Sequence, residues 1–586
     1  MCGIDRLNPE GGCGCRILIF LCLTVGCTPS VELPPETPAR NSTAAVKTIP
    51  RSASPDPLRP SLLTPHFTEV QNDLGVEHIY LNGASGEELM VEATGGGAGW
   101  LDYDRDGLQD LYLNQGGNPK VAGLASNPSD QLFRNRDGRS FRNATGSAEI
   151  REPGYSQGVA PGDFNNDGFS DIYVTNVGAN RLFCNQGDGT FLEISAEAGL
   201  ADLRWSSSAA WADLDADGDL DLYVCNYLKF DPDNPVICRH ENGESGMCDP
   251  HHVDAWPDEC YLNSGDGRFP PVARQLGLYG DGNKALGVAI ADFNGDDRPD
   301  IYVCNDTTAN FMFLQQDNFT FIESAQRLGC AVSGYGEAQA SMGVAVSDFN
   351  RDGRPDLYLT HFARESNTLY QNLGESGFAD VTSITGLHTP TLHFLGFGVA
   401  MSDFDFNGQD DVFIANGHID DWSPHEEDYQ QFPQLFTFDG HRWHETGANA
   451  GPVFQQRFVG RGVALADYDC DGDLDIACVR HGQSALILRN EEPHGNWLRF
   501  RFIGRSNNRN GIGTKVTIRA DDGIHLVQQL CGGTSYCSTH EPALTFGVGK
   551  TAVSAEIHWP NGLIQTLEHL TPNQEVVVLE SSGQPW

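Results

Sequence analysis

The sequence predicts an all-β protein: a seven-bladed calcium-binding β-propeller followed by a small antiparallel β domain. Three observations carry that prediction. A nine-residue acidic loop recurs seven times, its copies roughly 50 to 80 residues apart, which is the range of propeller blades. A stretch of Gly, Ala and Val precedes most copies, and a short β-rich segment follows each. After the last copy the repeat stops, and strands of a different alternation take over.

The first loop lies in "DYDRDGLQDLYL" and sets Asp102, Asp104 and Asp106 at alternate positions, with Gly107 for a sharp turn and Asp110 opening an apolar run. Carboxylates so spaced turn their oxygens toward one point, and the Leu108 carbonyl adds another hard oxygen, a donor set that suits calcium. An EF-hand would need a bidentate Glu at the twelfth position and a helix on either side. Here that position is Leu113, and the flank reads as a buried strand. Taken alone, such a loop is an Asp-rich turn as readily as an ion site. Repetition decides the matter.

The pattern D-x-[DN]-x-[DN]-[GD]-x-x-D returns with Asp163, Asn165, Asp167 and Asp171, and again with Asp213, Asp215, Asp217 and Asp221. The fourth copy carries Asp292, Asn294, Asp296 and Asp300; the fifth carries Asp348, Asn350, Asp352 and Asp356. The sixth has Asp403, Asp405, Asn407 and Asp411, and the seventh Asp467, Asp469, Asp471 and Asp475. These side chains are the candidate calcium ligands. In the fourth copy Asp297 stands where the others have glycine, at a position that needs a left-handed backbone, so a weaker site is expected there.

Small residues before the loops, as in "GVAIAD" and "GVAVSD", fit strands that converge where large side chains would collide. Beyond each loop comes a strand such as "DLYV", then a third element and an Asp-Gly turn, as in "LFCNQGDGTF". The predicted unit is four short strands with an ion between the first and second, repeated radially. The seventh copy stops after its third strand, "ALILRN", while "HFTEVQNDLGV" (His66 to Val76) matches the fourth element of other copies. The N-terminal segment is therefore expected to complete the last blade.

Acidic residues outnumber basic ones 80 to 37, a formal charge of −43, and this excludes a nucleic-acid partner, which needs a basic surface. Of the excess, 24 Asp occupy ligand positions in the seven loops, so the charge has a local cause. Ahead of the repeats, "RILIFLCLTVGC" has Arg16, a nine-residue apolar run from Ile17 to Val25 interrupted only by Thr24, and a small residue before Cys27. That is too short to span a bilayer and matches a signal peptide over residues 1–27, ending in a lipobox-like "TVGC" that predicts lipidation at Cys27. Residues 28–65 are rich in Pro, Ser and Thr and read as a tether. Residues 66–492 form the repeat region and 493–586 the terminal domain. The protein is expected to be exported, as a membrane-anchored lipoprotein or in secreted or periplasmic form, touching the membrane only through Cys27. Eleven cysteines follow Cys27, an odd number, so at least one is unpaired. Cys238 with Cys248, and Cys531 with Cys537, are the expected disulfides.

The tail contains "NRNGIGTKV", "CGGTSYCS", "FGVG" and "IHWPNG", which together resemble the ASPIC/UnbV domain. The loops with "GVAxxDF" resemble FG-GAP (VCBS-type) repeats, as in the integrin alpha propeller. The combination is similar to the cartilage acidic protein family and its bacterial relatives, over about residues 66 to 582. The resemblance implies an extracellular calcium-binding propeller and no particular reaction. Three functions are compatible with it, one of them a scaffold within a surface assembly that docks through the C-terminal domain. Another is a calcium-stabilised interaction or adhesion protein recognising a protein or glycan. The third is a lyase-type enzyme acting on extracellular polysaccharide, for which His251, His252, His393, His418, Tyr335 and Arg364 are the residues to inspect. No catalytic motif is present, and no catalytic residue is assigned.

Overall fold

The computed structural model describes residues 64–240, 243–420, 428–491, 495–520, 523, 525–550 and 553–581. The signal segment, Cys27 and all of the tether except its last two residues lie outside them. No helix among the described residues is long and apolar enough to cross a membrane.

The repeats form seven antiparallel sheets. In the second, Ser156–Gly162 runs into the acidic loop, Asp171–Asn176 leaves it, and Arg181–Asn185 and Phe191–Glu193 follow outward. The first strands are Ala98–Leu101, Ser156–Gly162, Ser206–Ala212, Ala285–Ala291, Val344–Ser347, Gly396–Ser402 and Gly460–Ala466, and each lies against the next. Ala98–Leu101 also lies against Gly460–Ala466. This convergence explains the small residues. A Cβ on Gly287 would stand 2.3 Å from the Met342 carbonyl of the following sheet, and one on Gly343 would stand 2.2 Å from that of Phe397. Larger side chains fill the space between sheets, as where Leu101, Tyr103 and Tyr112 meet Val159, Ile172 and Phe183.

Five of the outermost segments end in one turn of helix closed by a left-handed glycine, Gly75, Gly199, Gly277, Gly329 or Gly386. The third sheet departs from the expected unit, since it has three strands. Pro270 and Pro271 occupy the place of the fourth strand, and without two backbone N–H groups only an isolated bridge from Tyr261 to Pro271 forms there.

The seventh sheet is completed as expected. Phe67–Glu69 pairs antiparallel with Leu486–Asn490, in the register Phe67 to Asn490. Phe67, Val70, Leu74 and Val76 are all buried there. Deleting residues 66–76 removes these four side chains from the core and exposes a sheet edge, so a loss on the order of 6–10 kcal/mol is expected. Thermal unfolding of the truncated chain checks this; an unchanged midpoint would show the segment to be dispensable.

The terminal domain is two facing sheets around a core of Leu498, Phe500, Val516, Ile518, Phe546 and Trp559. One sheet is antiparallel, built from His525–Gln529, Lys515–Ala520, Val553–His558 and Ile564–Leu570. The other corrects the expectation of a wholly antiparallel domain: Asn496–Ile503 pairs in parallel with Gln574–Leu579, Phe500 facing Val576. The last strand returns only after a crossing through the opposite sheet, and that long connection permits parallel pairing.

Candidate metal loops and the segment that crosses them

Each acidic loop is a compact turn whose first and ninth residues organise the rest. In the first loop the Asp102 carboxylate accepts from the N–H groups of Asp106 and Gly107, both at 3.1 Å. The ninth residue, Asp110, accepts from Tyr103 N–H at 3.2 Å and from Asn135 N–H at 2.7 Å, tying the loop to the third strand. Asp171, Asp221, Asp300 and Asp475 repeat both bonds. The fourth residue is left-handed in every copy: Arg105, Asn166, Ala216, Gly295, Arg351, Phe406 and Cys470. Asp297 does adopt the left-handed turn at the sixth position, with φ +63°, and its loop is the one with glycine at the fourth. The glycine has moved within the loop, leaving one non-glycine residue in a strained conformation, as in the other copies. Ala216 is exposed, so Ala216→Gly is expected to stabilise the protein by about 1 kcal/mol through release of this strain, measurable by urea unfolding.

In four loops the first, third and ninth carboxylates come together, with ligand atoms all within 4.8 Å: Asp102, Asp104 and Asp110; Asp213, Asp215 and Asp221; Asp403, Asp405 and Asp411; Asp467, Asp469 and Asp475. The other three loops carry an amide third, and the carbonyl oxygens of Asn165, Asn294 and Asn350 accept from the N–H of the fifth residue. The fifth side chain is not among these groups, although in the seventh loop Asp471 comes within hydrogen-bonding range of Asp469. Asp106, Asp167, Asp217, Asp296, Asp352, Asn407 and Asp471 each accept from the N–H of the seventh residue.

The arrangement fits a hard cation. Buried oxygens of Asp104, Asp213, Asp356, Asp411 and Asp467 have no hydrogen-bond donor, although such groups are ordinarily paired. Burial, with repulsion from neighbouring carboxylates, pushes Asp102 up to about 6, Asp213 to about 7 and Asp467 to about 8. Burial likewise raises Asp221, Asp300 and Asp356 to about 8. A divalent ion reverses this penalty by supplying the missing charge, and an all-oxygen donor set suits calcium.

The sheets are stapled by a residue that the spacing of carboxylates does not reveal. The side-chain amide ending the third strand donates to the carbonyl of the second loop residue in the preceding sheet. Asn185 reaches Tyr103, Asn263 reaches Phe164 and Asn372 reaches Phe293, each at 2.8 Å; Gln315 reaches Leu214 at 2.6 Å and Asn490 reaches Phe404 at 2.8 Å. Asn135 joins the first sheet to the seventh through Tyr468 at 2.7 Å. In the sixth sheet Phe438 takes the place of the amide and packs on Phe349 at 5.5 Å. The signal was present as the Asn before several Asp-Gly turns.

The terminal domain sits on the loop side of these sheets. Asn510 accepts from Asp163 N–H and Gln529 from Asp292 N–H, while Arg499, itself buried, lies 3.4 Å from Asp467 and pairs with Glu541 and Glu575. From this domain the segment "GGTSYCSTHE" (residues 532–541) crosses the converging first strands and bonds to all seven. Gly532 exchanges backbone bonds with Ile290, Ser535 with Val344 and Thr539 with Ala98 and Trp100. Cys537 donates to the Ser208 hydroxyl and accepts from Val159, the Ser535 hydroxyl accepts from Val399, and Glu541 donates to Leu465. Tyr536 is fully buried at the centre, its ring 5.0 Å from Phe397.

This path corrects the second disulfide. Cys531 and Cys537 are both free, because the five residues between them run along different first strands. The Cys238–Cys248 bond is formed and closes the insertion of the third sheet. Of the residues inspected for a lyase, His251 and His252 are exposed beside Asp249 and Tyr335 is 77% exposed, whereas the Arg364 N–H donates to Leu392 beside His393, and His418 packs on Phe362, two residues before Arg364.

Repeated acidic turns on converging sheets, crossed by a terminal β domain, define a class, and sequence comparison supplies its family. The FG-GAP-like repeat model matches residues 102–174, 163–224, 252–303, 292–359 and 348–414, and the ASPIC and UnbV model matches 504–585. The chain is an FG-GAP-repeat protein of the ASPIC/UnbV family, homologous to cartilage acidic protein 1. It is 29% identical to the Mus musculus protein of that name over 325 residues, which is 53% of this chain and 47% of that one. The Homo sapiens protein is 28% identical over 326 residues, 53% and 46% of the two chains. The chain thus spans about half the length of the curated relatives it matches. Among solved structures it is similar to YCF48 bound to a D1 peptide, at 8% identity and a TM-score of 0.39, covering 74% of this chain and 99% of that one. An Agrocybe aegerita lectin recognising non-reducing terminal N-acetylglucosamine has 15% identity and a TM-score of 0.36, covering 61% and 79%.

Proposed function

We propose that the protein is a closed, seven-bladed propeller stabilised by calcium, exported and either secreted or held at a membrane through Cys27. It binds an extracellular protein or glycan through the face opposite its acidic loops. The observation that carries this reading is the terminal domain's position: it occupies the loop side and the convergence of the sheets, which leaves the other side for a partner. On that other side the segments entering the first strands and leaving the second carry exposed large apolar residues, among them Ile79, Leu81, Leu124, Leu203, Val236 and Ile237. Where such residues form one contiguous patch, they mark an interaction site. Extracellular calcium modules bind at ~10⁻⁴–10⁻³ M, so the ions would be structural fixtures rather than fast sensors.

The test is binding of the purified chain to arrays of extracellular proteins and glycans, repeated with Leu203→Asp and Val236→Asp. Saturable binding lost in these variants, with unfolding unchanged, supports the reading; binding indifferent to both places the surface elsewhere. Release of new unsaturated ends from a polysaccharide panel would replace it with the lyase.

A further inference from the structure

The seventh loop carries a carboxylate with no counterpart in its surroundings. Asp473, at the seventh position, is fully buried, and neither of its carboxylate oxygens has a hydrogen-bond donor. The Asp471 carboxylate lies in hydrogen-bonding range of both Asp469 and Asp473, and Asp469 belongs to the group that Asp467 and Asp475 complete. Five carboxylates therefore share one small volume.

The third loop has the same five aspartates, and comparison with it shows what is missing. There Asp219 is partly exposed and accepts from the side-chain amide of Asn166 at 2.8 Å. Asn166 is the fourth residue of the preceding loop; the equivalent residue ahead of the seventh loop is Phe406, which has nothing to donate. The nearby Arg499 is already shared between Glu541, Glu575 and Asp467. Trp497 packs directly over Gly472, where a Cβ would stand 1.9 Å from its ring, while Asp471 at the edge of the loop is exposed. A buried carboxylate without donor or counter-charge is among the costliest arrangements a fold can hold, and a cation removes that cost.

We propose that Asp473 is a fifth anionic ligand of the seventh loop, making it the tightest cation site of the seven and the one that most favours highly charged ions. This rests on the calcium reading above. It places the firmest ion in the sheet where the N-terminal strand, the last repeat and Arg499 of the terminal domain meet.

The full chain is loaded with calcium and dialysed against rising EGTA, and the ions retained per chain are counted by elemental mass spectrometry. One ion is expected to outlast the rest, and terbium placed in that site should luminesce on excitation of tryptophan, Trp497 being adjacent. Asp473→Asn and Asp473→Ser should each weaken retention by about tenfold or more, since affinity follows ligand charge, while Asp219→Asn leaves it unchanged. Variants that keep the last ion as tightly as the parent overturn the assignment. A parent chain that retains no calcium at all overturns both this assignment and the calcium reading.

Discussion

Without calcium the protein is expected to unfold at a higher temperature near about pH 5 than near about pH 7.5, and with calcium the order should reverse. In the metal-free chain burial holds the loop carboxyls above their ordinary range, from about 6 at Asp102 and Asp163 to about 8 at Asp221, Asp300, Asp356 and Asp467. Unfolded aspartates release their protons near about pH 4. Between those limits the native chain therefore binds more protons than the unfolded one, so its stability is greatest below the window and falls as pH rises through it. Bound calcium favours the charged carboxylates, placing their effective values below those of the unfolded chain, and protonation then competes with the ion as pH falls. Thermal unfolding in EGTA and in millimolar calcium, across this pH range, reads both slopes. Parallel slopes would mean that the loops hold no ion.

Tyr536→Ala is expected to cost about 3–5 kcal/mol, although the residue lies outside the repeats altogether. Its ring is fully buried against Phe397, and its hydroxyl accepts from Gly95 N–H at 3.3 Å. Truncation leaves a cavity where the first strands converge, and the strands cannot close it, because glycine contacts already hold them at their nearest approach. The loss should appear in urea unfolding as a lower midpoint in signals from both regions together. Two separate transitions, with only the terminal domain affected, would show that the crossing segment contributes little to the sheets. The same geometry predicts that the terminal domain is a poor module in isolation, since residues 532–541 would lose partners on all seven first strands.

Much of the architecture was legible from residues alone. The recurrence of the acidic loop identified seven sheets, because alternating Asp with a following glycine is a local turn that needs no distant partner. The unfinished seventh repeat and the spare segment at His66 identified the strand exchange at Phe67–Glu69, because both halves carry the same local pattern. The pairing of Cys238 with Cys248 followed from short separation within one insertion.

What the tertiary structure decided is the set of contacts between segments far apart in the chain, for which no periodicity exists to be read. Cys531 and Cys537 stand close in sequence, yet they are parted by the path of their segment over different sheets. The parallel pairing of Asn496–Ile503 with Gln574–Leu579, the amide staples between sheets, and the isolation of Asp473 opposite Phe406 likewise depend on where neighbouring loops come to rest. Local turn chemistry is written in adjacent residues and fixes each unit. Whether a buried charge finds a donor, or a cysteine a partner, is settled only when the sheets converge and the terminal domain covers them.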